Sequence, residues 1–252
     1  MTALPTPATD TGNPAWLTAP AQAGVTFELE RHGIGLVLWS PADAGDGEVL
    51  PMLVAHDGPE YDRLASLTHY IAAGITGNWL PRMRLALLRP RDRNRQYSAS
   101  TRYSRSLVEG ALQTLPARPR IGMGTSLGAL AMLHAYCRRP SMFDALFLQS
   151  GSFFSPLLDA HERRFRYFWR IAGFVADVQH GGLPDHPIPV VLTCGAAEEN
   201  IHNNRLMTQA LSARGYPVIL HEVPGMHDYV AWRDAFDPYL TRLLQQVIRS
   251  NS

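Results

Sequence analysis

From residue 25 onward the chain alternates between two hydrophobic periods. Short runs, apolar throughout or at every second position, recur at Val25–Glu30, Gly35–Ser40, Pro51–His56, Met83–Leu88, Arg118–Gly122, Ala145–Gln149, Val190–Cys194 and Val218–Val223, and these read as strands. Longer segments with helical spacing lie between the later strands, at Tyr61–Ala73, Ser98–Leu115, Ser126–Arg138, Asn203–Arg214 and Trp232–Arg249. Two strands in succession followed by β-α alternation predict a mostly parallel sheet of about eight strands with helices on both faces. Residues 1–22 hold four prolines and little periodicity and read as a loose leader, leaving 23–252 as a single α/β domain. The alternation fails once, between Gln149 and Val190. Residues 152–187 read as a cap- or lid-like insertion containing an Arg/aromatic helix at 161–170 and a Gly/Pro-rich exit.

Composition narrows the chemistry. Of 252 residues, 46% are hydrophobic and 18% charged, with 23 basic against 22 acidic side chains and a net charge of +1. That is a globular composition without the electrostatic footprint of a nucleic-acid or anionic-membrane binder. Every basic residue is arginine, which removes Schiff-base, Walker-A and Ser-Lys mechanisms. The two cysteines, Cys137 and Cys194, stand apart from each other and from any Cys/His cluster, so neither a zinc site nor a disulfide framework is expected. No apolar signal region opens the sequence, and no run approaches the ~18–20 apolar residues of a membrane span. The expectation is a soluble cytoplasmic protein without nucleic-acid or membrane partners; a homo-oligomer is compatible with the sequence.

The strongest local signal is Gly124-x-Ser126-x-Gly128 between a strand and a small-residue helix. A serine on so tight a strand-to-helix turn is exposed at a helix N-terminus, where free N–H groups favour developing negative charge. A rival reading of the glycines, Gly122-x-Gly124-x-x-x-Gly128, is a loose dinucleotide fingerprint. It lacks the acidic residue expected after the next strand, which ends Leu148-Gln149-Ser150-Gly151.

A serine nucleophile needs a base, and the base an orienting acid. The strand ending at Cys194 runs into Gly195-Ala196-Ala197-Glu198-Glu199, and the last strand into Pro224-Gly225-Met226-His227. Both loops follow strand carboxyl ends, in the order acid then histidine. His227 is favoured as base over His221, which lies inside a strand, and His202. Glu198 is favoured as acid, with Glu199 as a surface or helix-capping alternative. The oxyanion donors are expected to be the Leu127 amide and one amide near Gly58; Pro59 has no N–H to give. Asp57 and Tyr61 either hydrogen-bond substrate or belong to a helix start. Phe165 and Trp169, with Phe168 between them, either receive an acyl group or lay an aromatic stripe on the sheet. The Arg89–Arg95 run reads as a solvated loop with one or two structural arginines.

Taken together, His56-Asp57-Gly58-Pro59-Glu60-Tyr61, Arg93-Asn94-x-x-Tyr97, Gly122-Met-Gly-Thr-Ser-Leu-Gly-Ala129, Cys194-Gly195-x-x-Glu198 and Pro224-Gly-Met-His227-Asp-Tyr229-x-x-Trp232-Arg233 resemble the enterochelin-esterase-like esterases. This esterase D branch of the α/β-hydrolases also holds feruloyl esterases and mycolyltransferases. The resemblance spans about Pro51 to Leu240. It implies an α/β-hydrolase fold and a serine esterase acting on a small-molecule ester through Ser126, Glu198 and His227, with no metal or organic cofactor. An acyltransferase of the same fold would use the same three residues on a sugar or lipid alcohol. Mycolyltransferase-like members carry an N–H where Pro59 stands and are exported, and the chain departs from both patterns.

Overall fold

The computed structural model describes residues 13–45 and 47–250. Eight strands form one sheet: β1 (Gly24–Arg31), β2 (Ile34–Pro41), β3 (Leu50–Ala55), β4 (Arg84–Arg89), β5 (Ala117–Thr125), β6 (Ala145–Gln149), β7 (Val190–Gly195) and β8 (Val218–Val223). Their order is β1-β2-β4-β3-β5-β6-β7-β8. The β1-β2 and β2-β4 pairs are antiparallel and all later pairs parallel. Every expected strand is present, and the architecture is the α/β-hydrolase type.

The strand sequences are apolar because both faces are covered. Met52 and Val54 of β3, Ala86 and Leu88 of β4, and Leu146 and Leu148 of β6 point into one core. Their alternates Leu53, Ala55, Leu85, Leu87, Ala145 and Phe147 point into the other. The first core is closed by α3 (Arg93–Tyr97), α4 (Thr101–Val108), α5 (Leu127–Arg138), α6 (Phe168–Gln179) and α7 (Ile201–Ala213). The second is closed by α1 (Gly58–Ala65), α2 (Leu67–Thr76), α8 (Tyr229–Asp234) and α9 (Thr241–Ser250).

Several helices differ from the pattern reading. Tyr61–Ala73 is divided by Ser66, which adopts a left-handed conformation at φ 54° between α1 and α2. The segment read as Ser98–Leu115 is α-helical only over α4, with Ser100 capping the Tyr103 amide, and ends in a 3₁₀ turn at Ala111–Thr114. The C-terminal run breaks around Pro238, where Asp237 leaves the helical region. Between β6 and β7, 160–164 form a single 3₁₀ turn and the helix starts at Phe168, so 161–170 is not one helix. Of the stretch read as a loose leader, residues 1–12 lie outside the described residues; beyond them, Trp16 is buried against Tyr70 and Phe236.

Candidate active site

The carboxyl ends of β3, β5 and β6, neighbours in the sheet, each run into a non-glycine residue with positive φ: Asp57 at 51°, Ser126 at 54° and Ser150 at 46°. Such residues are strained, and strain held by surrounding structure concentrates at functional sites.

Ser126 links β5 to α5 with φ 54° and ψ −122°. The turn is as tight as the sequence pattern implies: a Cβ on Gly124 would lie 2.4 Å from the Gly128 carbonyl carbon. The Ser126 amide donates to Gln149 O at 2.9 Å, and its carbonyl accepts from the Ser152 amide at 3.1 Å. Its hydroxyl lies 3.0 Å from the Ser152 hydroxyl. Leu127 begins α5, so its amide has no acceptor one turn back.

His227 and Glu198 meet across the β7 and β8 loops. The His227 Nδ1 to Glu198 Oε2 distance is 2.7 Å. Glu198 is buried, and its second oxygen accepts from the Ser150 hydroxyl and the Gly195 amide, both at 2.8 Å. Burial alone would raise this carboxyl; the bonds from His227, Ser150 and Gly195 outweigh it and hold the group below the usual glutamate range. Gly195 lets the two loops meet, since a Cβ there would fall 2.5 Å from Gly225 O and 2.8 Å from Glu198 Oε1. The imidazole packs edge-on against Trp232, whose indole N–H donates to the Ser150 hydroxyl at 2.9 Å. Glu199 points outward, its side chain 83% exposed, so of the two adjacent glutamates it is Glu198 that faces the imidazole. His221 stacks on Tyr239 within the fold.

Ser126, Leu127, Ser152 and His227 open onto one cleft of about 360 Å³, which Phe154 and Phe165 also line. Burial pushes both Cys137 and Cys194 up to about 12, so neither supplies a thiolate at neutral pH.

Of the other expected site residues, Asp57, Tyr61 and Trp169 do not line this cleft. Asp57 is buried in an ion pair, accepting from Arg93 Nε at 2.8 Å and Nη2 at 2.6 Å, while its amide donates to Tyr97 Oη at 3.2 Å. Arg93 is thus a structural arginine of the 89–95 run. Tyr61 is fully buried and donates to Gln149 Oε1 at 2.8 Å. With their hydrogen bonds satisfied internally, neither Asp57 nor Tyr61 faces the cleft. Gly58 is buried at the first position of α1 against Leu87. Trp169 is 64% exposed, because a helix starting at Phe168 carries Phe168 inward and the indole out.

Ser150, Ser152, Asn200, Asn204 and Trp232 escaped the sequence reading. Asn200 Nδ2 donates to Ser150 O at 2.8 Å, and Asn204 brackets Gly151 by accepting from its amide at 3.0 Å and donating to its carbonyl at 3.1 Å. The available signal was polar residues where a core is expected: Gln-Ser-Gly-Ser directly after an apolar strand, and asparagines on the inward face of a helix.

A family model described as "Putative esterase" matches residues 34–243. An iron(III) enterobactin esterase of Dickeya dadantii (strain 3937) is 33% identical over 112 residues, 44% of this chain and 26% of that protein. Among solved structures, the enterobactin esterase FES of Shigella flexneri in the presence of enterobactin superposes with a TM-score of 0.73 at 19% identity, covering 95% of this chain and 62% of that one. FphF, a fluorophosphonate-binding serine hydrolase of Staphylococcus aureus, gives 0.62 at 15% identity, covering 91% and 99%. The chain therefore spans less than two thirds of the enterobactin esterases it matches. These structural likenesses carry the fold.

Proposed function

The chain belongs to this esterase family, and from that premise we propose that it hydrolyses a carboxylic ester through an acyl-enzyme intermediate on Ser126. The observation that carries the reading is the 2.7 Å contact between His227 Nδ1 and buried Glu198, on a histidine that shares a cleft with Ser126. With Nδ1–H donated to the carboxylate, the lone pair of Nε2 is left free to take a proton. Glu198 fixes that tautomer and stabilises the imidazolium that forms.

In the proposed reaction the Ser126 hydroxyl leaves Ser152 and turns to Nε2, a rotation between staggered wells of a short side chain. The oxygen attacks the ester carbonyl as its proton passes to His227. The tetrahedral oxyanion is received by the Leu127 amide and a second amide of the loop after β3. Pro59 cannot donate and the Asp57 amide is engaged by Tyr97, so the Gly58 amide or a neighbour is the expected donor. His227 then protonates the leaving alcohol, and water hydrolyses the acyl-serine by the reverse sequence. No step calls on a metal or an organic cofactor.

Ser126→Ala is expected to lower kcat on p-nitrophenyl acetate by roughly four to six decades with an unchanged circular dichroism spectrum. Wild-type turnover in that variant overturns the assignment of the nucleophile. Product analysis with added alcohols separates hydrolysis from acyl transfer: transferred ester exceeding free acid points to the transferase.

A further inference from the structure

The cleft beside Ser126 has a marked charge character. Besides the phenylalanines, its lining includes the carboxylates Asp159, Glu162 and Glu199, and no arginine among the described residues, although the chain carries 23 basic side chains, all arginine. Phe154 and Phe165 meet edge to face, 6.4 Å between centroids at 85°, and make an apolar corner. Asp159 is fixed by the Ser155 amide at 2.6 Å and the Asn203 side-chain amide at 2.7 Å. Glu162 and Glu199 come from different loops yet converge on His161 Nε2, at 3.9 and 3.8 Å. The arginines next in sequence do not line the cleft: Arg163 donates to Pro156 O, and Arg166 lies over Tyr167.

An aromatic corner beside carboxylates is the pairing that holds an organic ammonium group: ring faces attract a cation, and fixed negative charge adds to that attraction. An anionic acyl group entering the same cleft meets like charge. We propose that the cleft selects esters whose acyl group carries an ammonium or quaternary ammonium charge and discriminates against carboxylate-bearing ones, with Glu162 and Glu199 as specificity-determining residues. The proposal rests on the esterase reading of this cleft. Both glutamates are partly solvated, 39% and 83% exposed at the side chain, so the selection is modest. Screened charges of this kind shift affinity by a few-fold each, giving about tenfold between cation and anion.

The test uses three p-nitrophenyl esters of matched shape: 4-(trimethylammonio)butanoate, its neutral isostere 5,5-dimethylhexanoate, and the glutarate half-ester. They are compared at low ionic strength and pH 8 with EDTA present. The expected order of kcat/KM is cation, neutral, anion, with the cation-to-anion ratio near tenfold. In Glu162→Gln/Glu199→Gln that ratio is expected to fall to within about twofold. A wild-type ratio of one or below, or a ratio unmoved in the double variant, overturns the proposal. Titration of phenyltrimethylammonium against benzoate, followed by chemical-shift change, reads the same preference without turnover. Tighter ammonium binding in a protein that hydrolyses none of the esters supports the charge selection and sinks the esterase reading; turnover of the neutral ester with no charge order does the reverse.

Discussion

The Ser126 hydroxyl hydrogen-bonds the Ser152 hydroxyl at 3.0 Å, so the proposed reaction requires it to turn away from that partner. A neutral hydrogen bond of this sort is worth about 1 kcal/mol, a factor of about five in an equilibrium. Ser152→Ala is therefore expected to raise the rate of fluorophosphonate acylation by up to about fivefold; a loss of more than tenfold would instead make Ser152 an oxyanion or proton-handling group. Glu198→Gln retains shape but removes the charge facing His227. Its kcat is expected to fall by about 10²–10⁴, as when a triad acid is made neutral and the imidazole tautomer is no longer fixed. Retention of wild-type kcat would show that another group orients the ring. The same carboxylate links activity to acid stability. Because its folded value lies below the ordinary glutamate range, the unfolded chain takes up the proton first as pH falls. Its stabilising contribution is complete above the unfolded value of about 4.3 and fades as pH drops through the lower folded one. In urea titrations between pH 6 and 3, wild type is expected to lose more stability than Glu198→Gln.

At the scale of elements, the strand-end loops are positioned by contacts that tolerate little change. Arg93 grips Asp57 with two nitrogens from α3 and keeps the turn after β3 in its left-handed conformation. Arg93→Lys keeps the charge but not the fork, and is expected to lower stability by about 1–2 kcal/mol and to reduce kcat more than it raises KM, since the oxyanion loop shifts. Unchanged kcat with lowered stability would confine Arg93 to a structural role. Gly195→Ala would drive the β7 loop away from Gly225 O and separate Glu198 from His227. The strands were readable from sequence because both sheet faces are buried and each run is apolar. Loop residues were singled out only where chemistry demanded a residue type, as at Ser126, Glu198 and His227. Asp57 and Tyr61 left two readings open because polar groups at a strand end read alike whether they face a ligand or an internal partner. The break at Ser66 left no composition signal, whereas Pro238 is a helix breaker that the Trp232–Arg249 reading ran through.

For the molecule as a whole, the sheet order brings residues from positions 126, 152, 198 and 227 to one edge, with Phe154 and Phe165 supplying the cleft's aromatic wall. Strand-end placement was sufficient to anticipate that 126, 198 and 227 share that edge, though not Ser152, because a parallel sheet puts all its β-to-α loops on one side. The wall was less legible. The spacing of Phe165 and Trp169 suggested one helical face, but the helix starts at Phe168, leaving Phe165 in the cleft and Trp169 in solvent. Among the described residues no helix is long and apolar enough to cross a membrane. The most direct measurement of the central claim is the site and rate of covalent modification by a fluorophosphonate, read by intact mass and peptide mapping. The expected result is a single adduct on Ser126, absent in Ser126→Ala and slowed at least about 10²-fold in His227→Ala. An adduct on another residue, or labelling of Ser126 at the same rate without the His227 imidazole, would contradict it.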